Sequence, residues 1–291
     1  MTAVVFGASG QDGHYLSELL RGIGMQAIEI SRSAGDHTGS VADPEFVSGL
    51  LKRYRPSHVF HLAASSTARH DALFENHEAI STGTLNVLEG VRLHCADARV
   101  FLTGSGLQFR NAGQPLDETS PFSAGSPYAL ARIHSTYAAR YYREAFGTRA
   151  FVGYLFHHDS PRRSERHISQ AIVAAGLRIA QGSPEKLIIG CPDVRKEFNF
   201  AGDVVAAMWT LVQQDSIHEA VIGSGRAHSL MEWAELCFSA LGLDLREHLQ
   251  PAAGFVPEYK VLVSNPAIIH GLGWRPAVGF DGLARMMLGQ S

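Results

Sequence analysis

The sequence predicts an α/β fold, a doubly wound parallel sheet carrying a small C-terminal lobe. Three observations predict it. Short β-branched or apolar runs alternate with longer amphipathic stretches, the pattern of parallel strands joined by helical crossovers. A glycine-rich turn joins the first apolar run directly to the first amphipathic stretch. Hydrophobic residues make up 45% of the 291, enough for a large core, which excludes a disordered chain.

Taken in order, Ala3–Phe6 reads as a strand, Gln11–Gly24 as a helix and Gln26–Ser31 as the second strand. Pro44–Tyr54 reads as a helix, His58–Leu62 as the third strand, Ala79–His94 as a long helix and Arg99–Thr103 as the next strand. The helix Ser126–Phe146 and the strand Arg149–Phe156 complete the alternation. Beyond it the pattern is less regular. Helices are expected at Ile168–Gln181, Val204–Gln214 and Leu230–Leu241, and short strands at Lys186–Ile189, Ala220–Ile222 and Lys260–Val263. No Pro/Gly-rich linker divides the chain. The expected division puts residues 1–156 in the main domain, with 197–222 returning to it. Residues 157–196 and 223–291 then form a lobe over the carboxyl ends of the strands, where open α/β sheets bind ligands.

Composition narrows the partners. A net charge of -3 argues against nucleic-acid binding, which favours a basic excess, and leaves room for a local basic pocket. No apolar run approaches the ~20 residues that span a bilayer, so no membrane partner is expected. The start runs straight into the glycine turn without a signal-peptide pattern, and a cytoplasmic location is expected. Cys95, Cys191 and Cys237 lie far apart and read as structural thiols. The 15 histidines show no HExxH or comparable spacing, so no metal site is expected.

The turn itself is Gly7-Ala8-Ser9-Gly10-Gln11-Asp12-Gly13. Gly7 permits a tight turn, Gly10 lets backbone approach a pyrophosphate, and Gly13 lets helix and strand pack closely. The helix start offers unpaired N–H groups to the anion. In strand–turn–helix context this makes a Rossmann-type dinucleotide site, with Ser9, Gln11 and Asp12 among its contacts. The second strand ends Ile30-Ser31-Arg32-Ser33. An acidic residue there suits a ribose 2′-hydroxyl; Arg32 suits a 2′-phosphate, hence NADP, with NAD left open. A solvated arginine at a strand end is the other reading.

Later segments resemble the extended short-chain dehydrogenase/reductases. They are His61-Leu62-Ala63-Ala64 after the third strand, Ser126-Pro127-Tyr128 with Arg132 at the place of a Tyr-x-x-x-Lys helix, and Gly271-Leu272-Gly273-Trp274-Arg275-Pro276. Within that class the chain is most similar to the GDP-mannose 4,6-dehydratase family. The likeness lies in Gly10-Gln11-Asp12-Gly13, in Leu155-Phe156-His157-His158-Asp159-Ser160-Pro161-Arg162-Arg163, in Glu185-Lys186-Leu187 with Gly190, and in Asp203-Val204-Val205-Ala206-Ala207-Met208-Trp209. It covers nearly the whole chain, and Ser-Pro-Arg-Arg is its most specific part.

The resemblance implies a reaction and a site. NADP removes hydride from C4 of a GDP-linked sugar, the ketone acidifies the C5–H, water leaves from C6, and hydride returns there. A tyrosine held as phenolate by a nearby cation takes the C4 hydroxyl proton, a serine or threonine steadies the oxygen, and a glutamate serves the elimination. Carried over, these roles fall on Tyr128, Arg132, and Ser105 or Thr103. Leu62, Ala63, Ala64, Tyr128 and Arg132 flank the cofactor. His157, Arg162, Arg163, Arg195 and Lys196 face the nucleotide diphosphate, unless the basic ones merely line the surface. A homodimer or homotetramer is implied, with helices Ala79–His94 and Ser126–Phe146 pairing across a two-fold axis through small surfaces at Ala131, Thr136, Ala138 and Ala139.

Several positions depart from the family pattern. Arg132 replaces its lysine, Gly104 and Gly106 stand at the hydroxyl and glutamate positions, His157 replaces an asparagine, Ala171 a lysine and Lys196 an arginine. The reading adopted is a nucleotide-sugar enzyme of the dehydratase type; the alternatives are an NADPH-dependent 4-keto reductase or epimerase of a nucleotide 6-deoxysugar, and a dinucleotide-binding protein without catalysis.

Overall fold

Both faces of the central sheet are apolar, which is why helices cover both. In the computed structural model, which describes residues 1–65, 67–252 and 254–290, strand β1 (Thr2–Phe6) alternates between two cores. Ala3 and Val5 enter one, Val4 and Phe6 the other. All four are shut off from solvent, as befits a central parallel strand. Each such Val or Phe contributes roughly 1.5–3 kcal/mol on burial.

The chain continues as α1 (Gln11–Gly22), β2 (Gln26–Ser31), β3 (His37–Thr38), α2 (Pro44–Tyr54) and β4 (His58–His61). It runs through α3 (Leu73–Asn76) and a π-helical segment, His77–Thr82, into α4 (Gly83–His94), then β5 (Arg99–Ser105), α5 (Pro127–Phe146) and β6 (Arg149–Leu155). Next come β7 (His158–Asp159), α6 (Ile168–Ala180), β8 (Leu187–Ile189), β9 (Arg195–Glu197), β10 (Asn199–Phe200), α7 (Ala201–Val212) and β11 (Glu219–Ile222). The last stretch holds β12 (Ala227–Ser229), α8 (Leu230–Ala240), α9 (Leu245–His248), β13 (Leu249–Pro251), β14 (Val261–Leu262), α10 (Ala267–Gly271) and α11 (Phe280–Met287).

The seven-stranded sheet has the order β11-β6-β5-β4-β1-β2-β3 and is parallel throughout. Helices α2, α4 and α5 cover one face, α1 and α7 the other. From β1 the chain moves outward to β2 and β3, then crosses back to β4 on β1's other side. At that reversal the strand ends diverge and leave a crevice, the usual ligand position of such sheets. Helices α6, α8 and α11 with β8 enclose a third core, the lobe. Short pairings, β10 on β7 and β12 and β14 on β9, join the later segments.

Caps delimit the helices that matter for the site. In α5 the Ser126 side chain accepts from the Ala129 N–H, Pro127 takes the first turn, and Gly147 ends the helix at φ 66°. Several boundaries differ from the sequence reading; helix α7, for one, starts at Ala201 and not at Val204. Helix α1 stops at Gly22, just before Gly24 turns to φ 78°. The helix expected from Ala79 is already under way at Leu73, with the π-helical segment in its middle.

One expectation is overturned. Ala131, Thr136, Ala138 and Ala139 do not form an outer surface on α5; they are buried. The helical period puts them on the same inward face as Ser135 and Tyr142. The outward face carries Leu130, Tyr137 and Tyr141, and Leu85 and Leu93 are exposed on α4. Among the described residues no helix is long and apolar enough to cross a membrane, and no group of three His, Cys, Asp or Glu could hold a metal. The three cysteines are free, and burial pushes the Cys95 thiol up to about 11 and the Cys237 thiol up to about 12.

Candidate active site

The glycine turn is shaped by contact as much as by conformation. Gly7 takes φ 89°, and a Cβ there would lie 2.6 Å from the Ala63 nitrogen. The segment after β4 is thus laid directly on the turn. A Cβ on Gly13 would lie 2.5 Å from both the Ala8 Cα and the Gly7 oxygen. Gly10 differs: its Cβ would meet only the Gly7 oxygen, at 3.4 Å. Gly10 is also the N-cap of α1, without a side-chain capping bond, so the first-turn N–H groups face an open surface.

Two clefts meet over Gly7 and Gly10. The first, of about 250 Å³, is lined by Ser9, Ser31, Arg32, Leu62, Ala63, Ala64, Glu75 and Glu78. The second, of about 340 Å³, contains Thr103, Ser105, Tyr128, Arg132, His157, Arg163, His167 and Tyr259. Gln11 and Asp12 also line it, but their side chains are taken up elsewhere. Gln11 donates from Nε2 to the His158 carbonyl at 3.2 Å and accepts from the Ser160 hydroxyl at 3.0 Å. The Asp12 carboxylate lies 3.0 Å from His158 Nε2. Burial opposes charge on both members of that pair, but the pairing outweighs it: Asp12 is held below the usual carboxylate range and His158 above the usual imidazole value. What Gln11 and Asp12 offer an anion is therefore main chain.

Tyr128 and Arg132 stand one turn apart on α5. The Arg132 guanidinium lies 5.0 Å from the centroid of the Tyr128 ring. It donates to the Thr103 carbonyl and hydroxyl at the end of β5. Arg132 is 4% exposed, and its Nε has no protein partner among the described residues. Thr103 is engaged on both sides, since its hydroxyl also donates to the His61 carbonyl at 3.4 Å. Ser105 caps the short 3₁₀ turn Gly106–Gln108, accepting from the Leu107 N–H while Gln108 Oε1 accepts from the Ser105 N–H. Its hydroxyl proton has no acceptor among the described residues, which makes Ser105 the better candidate for the substrate oxygen.

The two glycines in this stretch are closed over by aromatic rings. A Cβ on Gly104 would lie 2.6 Å from Tyr154 Cδ1, and one on Gly106 would lie 3.0 Å from the Phe156 ring. Phe156 thus occupies the space that a side chain at position 106 would take. The carboxylates nearby are already paired: Asp12 with His158, and the fully buried Asp159 with His157 and Arg163.

The far wall of the second cleft carries basic groups. His157 Nε2 lies 2.5 Å from Asp159, Arg163 Nε 3.4 Å from Asp159, and Arg163 Nη2 3.1 Å from His167 Nδ1. Burial lowers His157 to about 3 despite Asp159, and burial with the Arg163 charge lowers His167 to about 4. Both rings are neutral near pH 7; the single N–H of His157 goes to Asp159, while His167 accepts from Arg163 at Nδ1 and keeps its Nε2–H to donate. Asp159 stays ionised: burial works against it, but His157, Lys196 and Arg163 hold it far below the usual range.

Arg195 and Lys196 do not line the cleft. Successive residues on a strand point to opposite sides, and here neither side faces either cleft. Arg195 pairs with Glu232 at 3.0 Å and donates to the Ala227 carbonyl at 2.9 Å. Lys196 is buried, 5.3 Å from the centroid of the Phe198 ring, and burial lowers it to about 8. Its charge steadies Asp159. The exposed Arg162 also lies off the cleft wall. His167, Tyr259, Glu75 and Glu78 line the clefts although no sequence motif marks them. The spacing of His167 from Arg163, four residues, is the one signal that could have pointed to it. Tyr259 reaches the cleft from a late loop that no local pattern marks.

These features fit a dinucleotide. Gly7 and Gly13 close the turn against its neighbours, Gly10 and the uncapped helix start leave a surface open, and the buried Arg132 Nε awaits an acceptor beside Tyr128.

Comparison with known proteins agrees with this geometry. The profile of the family described as GDP-mannose 4,6 dehydratase matches residues 4–287. GDP-mannose 4,6 dehydratase 1 of Arabidopsis thaliana is 31% identical over 98% of this chain and 88% of its own. Among solved structures, UDP-glucose 4-epimerase of Thermus thermophilus in complex with NAD superposes with a TM-score of 0.85 and 22% identity, covering 99% of this chain and 98% of that one. RMD of Pseudomonas aeruginosa complexed with NADPH gives 0.87 and 20%, covering 99% and 96%. At those identities the structures establish the fold, and it is the Rossmann-type fold of nucleotide-sugar epimerases and dehydratases.

Proposed function

The chain belongs to the GDP-mannose 4,6-dehydratase family, a family of nucleotide-sugar enzymes, and from that premise we propose that it transfers hydride at C4 of a GDP-linked sugar without eliminating water. One observation carries this reading. Tyr128, Arg132 and Ser105 stand together in the cleft, while Phe156 packs over Gly106, where the family's elimination glutamate belongs. The site holds the parts for hydride chemistry, and among the described residues the one carboxylate on its wall, Asp12, is paired with His158.

The residues lining the two clefts would hold NADP(H), which when bound would supply the hydride. Tyr128 gives its phenolic proton to the C4 oxygen in the reductive direction, and takes it back in the oxidative one. Arg132, 5.0 Å from the centroid of that ring and anchored to the Thr103 carbonyl, holds the phenol in position. Ser105, with its hydroxyl proton uncommitted, donates to the same oxygen and fixes its position. Arg163 and the Nε2–H of His167 are the donors that would meet the diphosphate, while His157, bound to Asp159, would hold that wall in place. At the end of β2, Arg32 supports NADP over NAD by offering a cation to the 2′-phosphate.

The experiment is to incubate the protein with NADPH and a GDP-4-keto-6-deoxysugar, and separately with NADP and GDP-mannose, and to weigh the products. Gain of two hydrogens in the first reaction, with no water lost in the second, is the expected result. Loss of water from GDP-mannose would overturn the reading. It would favour full dehydration instead, the reaction that the family match over residues 4–287 and the segment Ser160-Pro161-Arg162-Arg163 support.

The outward face of α4 and α5 supports a homodimer. Leu85, Leu93, Leu130, Tyr137 and Tyr141 lie exposed there, an apolar aromatic surface of the kind that helices bury in isologous contacts. Light scattering at micromolar concentration is expected to give twice the chain mass, and Tyr137→Glu with Tyr141→Glu to give the monomer. A monomeric wild type refutes the dimer.

A further inference from the structure

We infer that Glu75 sets the balance between NADP and NAD, by holding Arg32 and by opposing the 2′-phosphate; this rests on the NADP reading above. The charge on the wall of the first cleft is not what a phosphate pocket needs. Of its lining residues Arg32 alone is cationic, while Glu75 and Glu78 are both anionic. Arg32 is not free either, since its Nη1 lies 3.3 Å from Glu75 Oε1. Both side chains are well exposed, 73% and 47%, so the pair is weak and can be pulled apart.

The Ser31 hydroxyl gives little help. It donates to the Ala34 carbonyl at 2.7 Å and accepts from the Ser33 and Ala34 N–H groups. It closes its own turn and does not reach for a ligand. The corner therefore has one cation for the phosphate, and a carboxylate already on it.

The two dinucleotides meet this corner differently. A 2′-phosphate brings up to two negative charges beside Glu75 and must draw Arg32 away from it. A 2′-hydroxyl brings a donor, which a carboxylate accepts readily. Glu75 thus weakens NADP and suits NAD, and Arg32 does the reverse. Together they keep both cofactors within reach, with Arg32 tilting the choice to NADP.

Glu75→Gln isolates the effect. Glu75 sits on the short helix α3 with an exposed side chain, so the change removes charge and leaves packing alone. Dissociation constants for NADP and NAD are to be measured by calorimetry, without sugar substrate, in wild type, Glu75→Gln, Arg32→Ala and the double variant. Glu75→Gln is expected to tighten NADP about three- to tenfold, as loss of one nearby solvent-exposed charge predicts, and to leave NAD unchanged or weaker. The gain should shrink as salt rises. In the Arg32→Ala background the part that comes from holding Arg32 should vanish, and only the direct repulsion of the 2′-phosphate should remain. An NADP-to-NAD ratio unmoved by Glu75→Gln, while Arg32→Ala still moves it, overturns the inference and leaves the NADP reading standing. A wild type that prefers NAD, with a ratio indifferent to Arg32→Ala, overturns both.

Discussion

Tyr128→Phe is expected to lower turnover by roughly 10²–10⁴, the usual worth of a positioned acid–base group, while leaving dinucleotide affinity nearly intact. The phenylalanine keeps the ring that Arg132 stacks against at 5.0 Å, so α5 and the cation stay in place. Only the hydroxyl is lost, and no protein group among the described residues hydrogen-bonds it. The defect should therefore lie in kcat and not in KM. Arg132→Ala should damage both turnover and cofactor binding, because the guanidinium also anchors Thr103 at the end of β5. Arg132→Lys restores the charge but not the fork that spans the Thr103 carbonyl and hydroxyl, and partial recovery is expected. Initial rates from NADPH oxidation and affinities from NADPH fluorescence give the two readouts. Unimpaired turnover in Tyr128→Phe, on any sugar the wild type accepts, would remove Tyr128 from the mechanism.

The second large effect separates two glycines of the same turn. Gly7→Ala should destabilise the fold by about 2–4 kcal/mol and abolish dinucleotide binding with it. The alanine must hold φ 89° with its Cβ 2.6 Å from the Ala63 nitrogen, and that neighbour is backbone, which cannot swing aside. Gly10→Ala should leave the melting temperature within about 2 °C. Its Cβ meets nothing closer than 3.4 Å and its φ is -75°, ordinary for alanine. Yet it places a methyl where the pyrophosphate approaches the helix start, and binding should fall more than about tenfold. Thermal melts with and without NADPH test both. A Gly10→Ala protein that binds as the wild type does would show that the anion lies elsewhere.

Much of the site was legible because its signals are local. The turn Gly7–Gly13 lies in seven consecutive residues, and Tyr128 with Arg132 in one helical turn. Spacing of that kind survives folding, since one element presents both members. The orientation of side chains was not legible. Gln11 and Asp12 sit in the motif, yet their side chains bind His158 and Ser160, which lie in the second half of the chain. Arg195 and Lys196 carry the right charge in the right register, yet one pairs with Glu232 and the other is buried behind Asp159.

By itself the sequence determined the α/β alternation, the strand–turn–helix that receives a dinucleotide, and the absence of a side chain at positions 104 and 106. Each follows from residue type and near-neighbour spacing, which set backbone conformation and the periodicity of burial. The tertiary structure alone decided what fills those gaps. Tyr154 near the end of β6, and Phe156 just past it, close over the space that side chains at positions 104 and 106 would take. It also decided which face of α5 meets solvent, and that Glu75, far from Arg32 in the chain, stands 3.3 Å from it. The physical reason is common to all three. Contacts between elements depend on how the sheet stacks them, and neither hydrophobic period nor motif spacing records which distant side chain will arrive beside a given one.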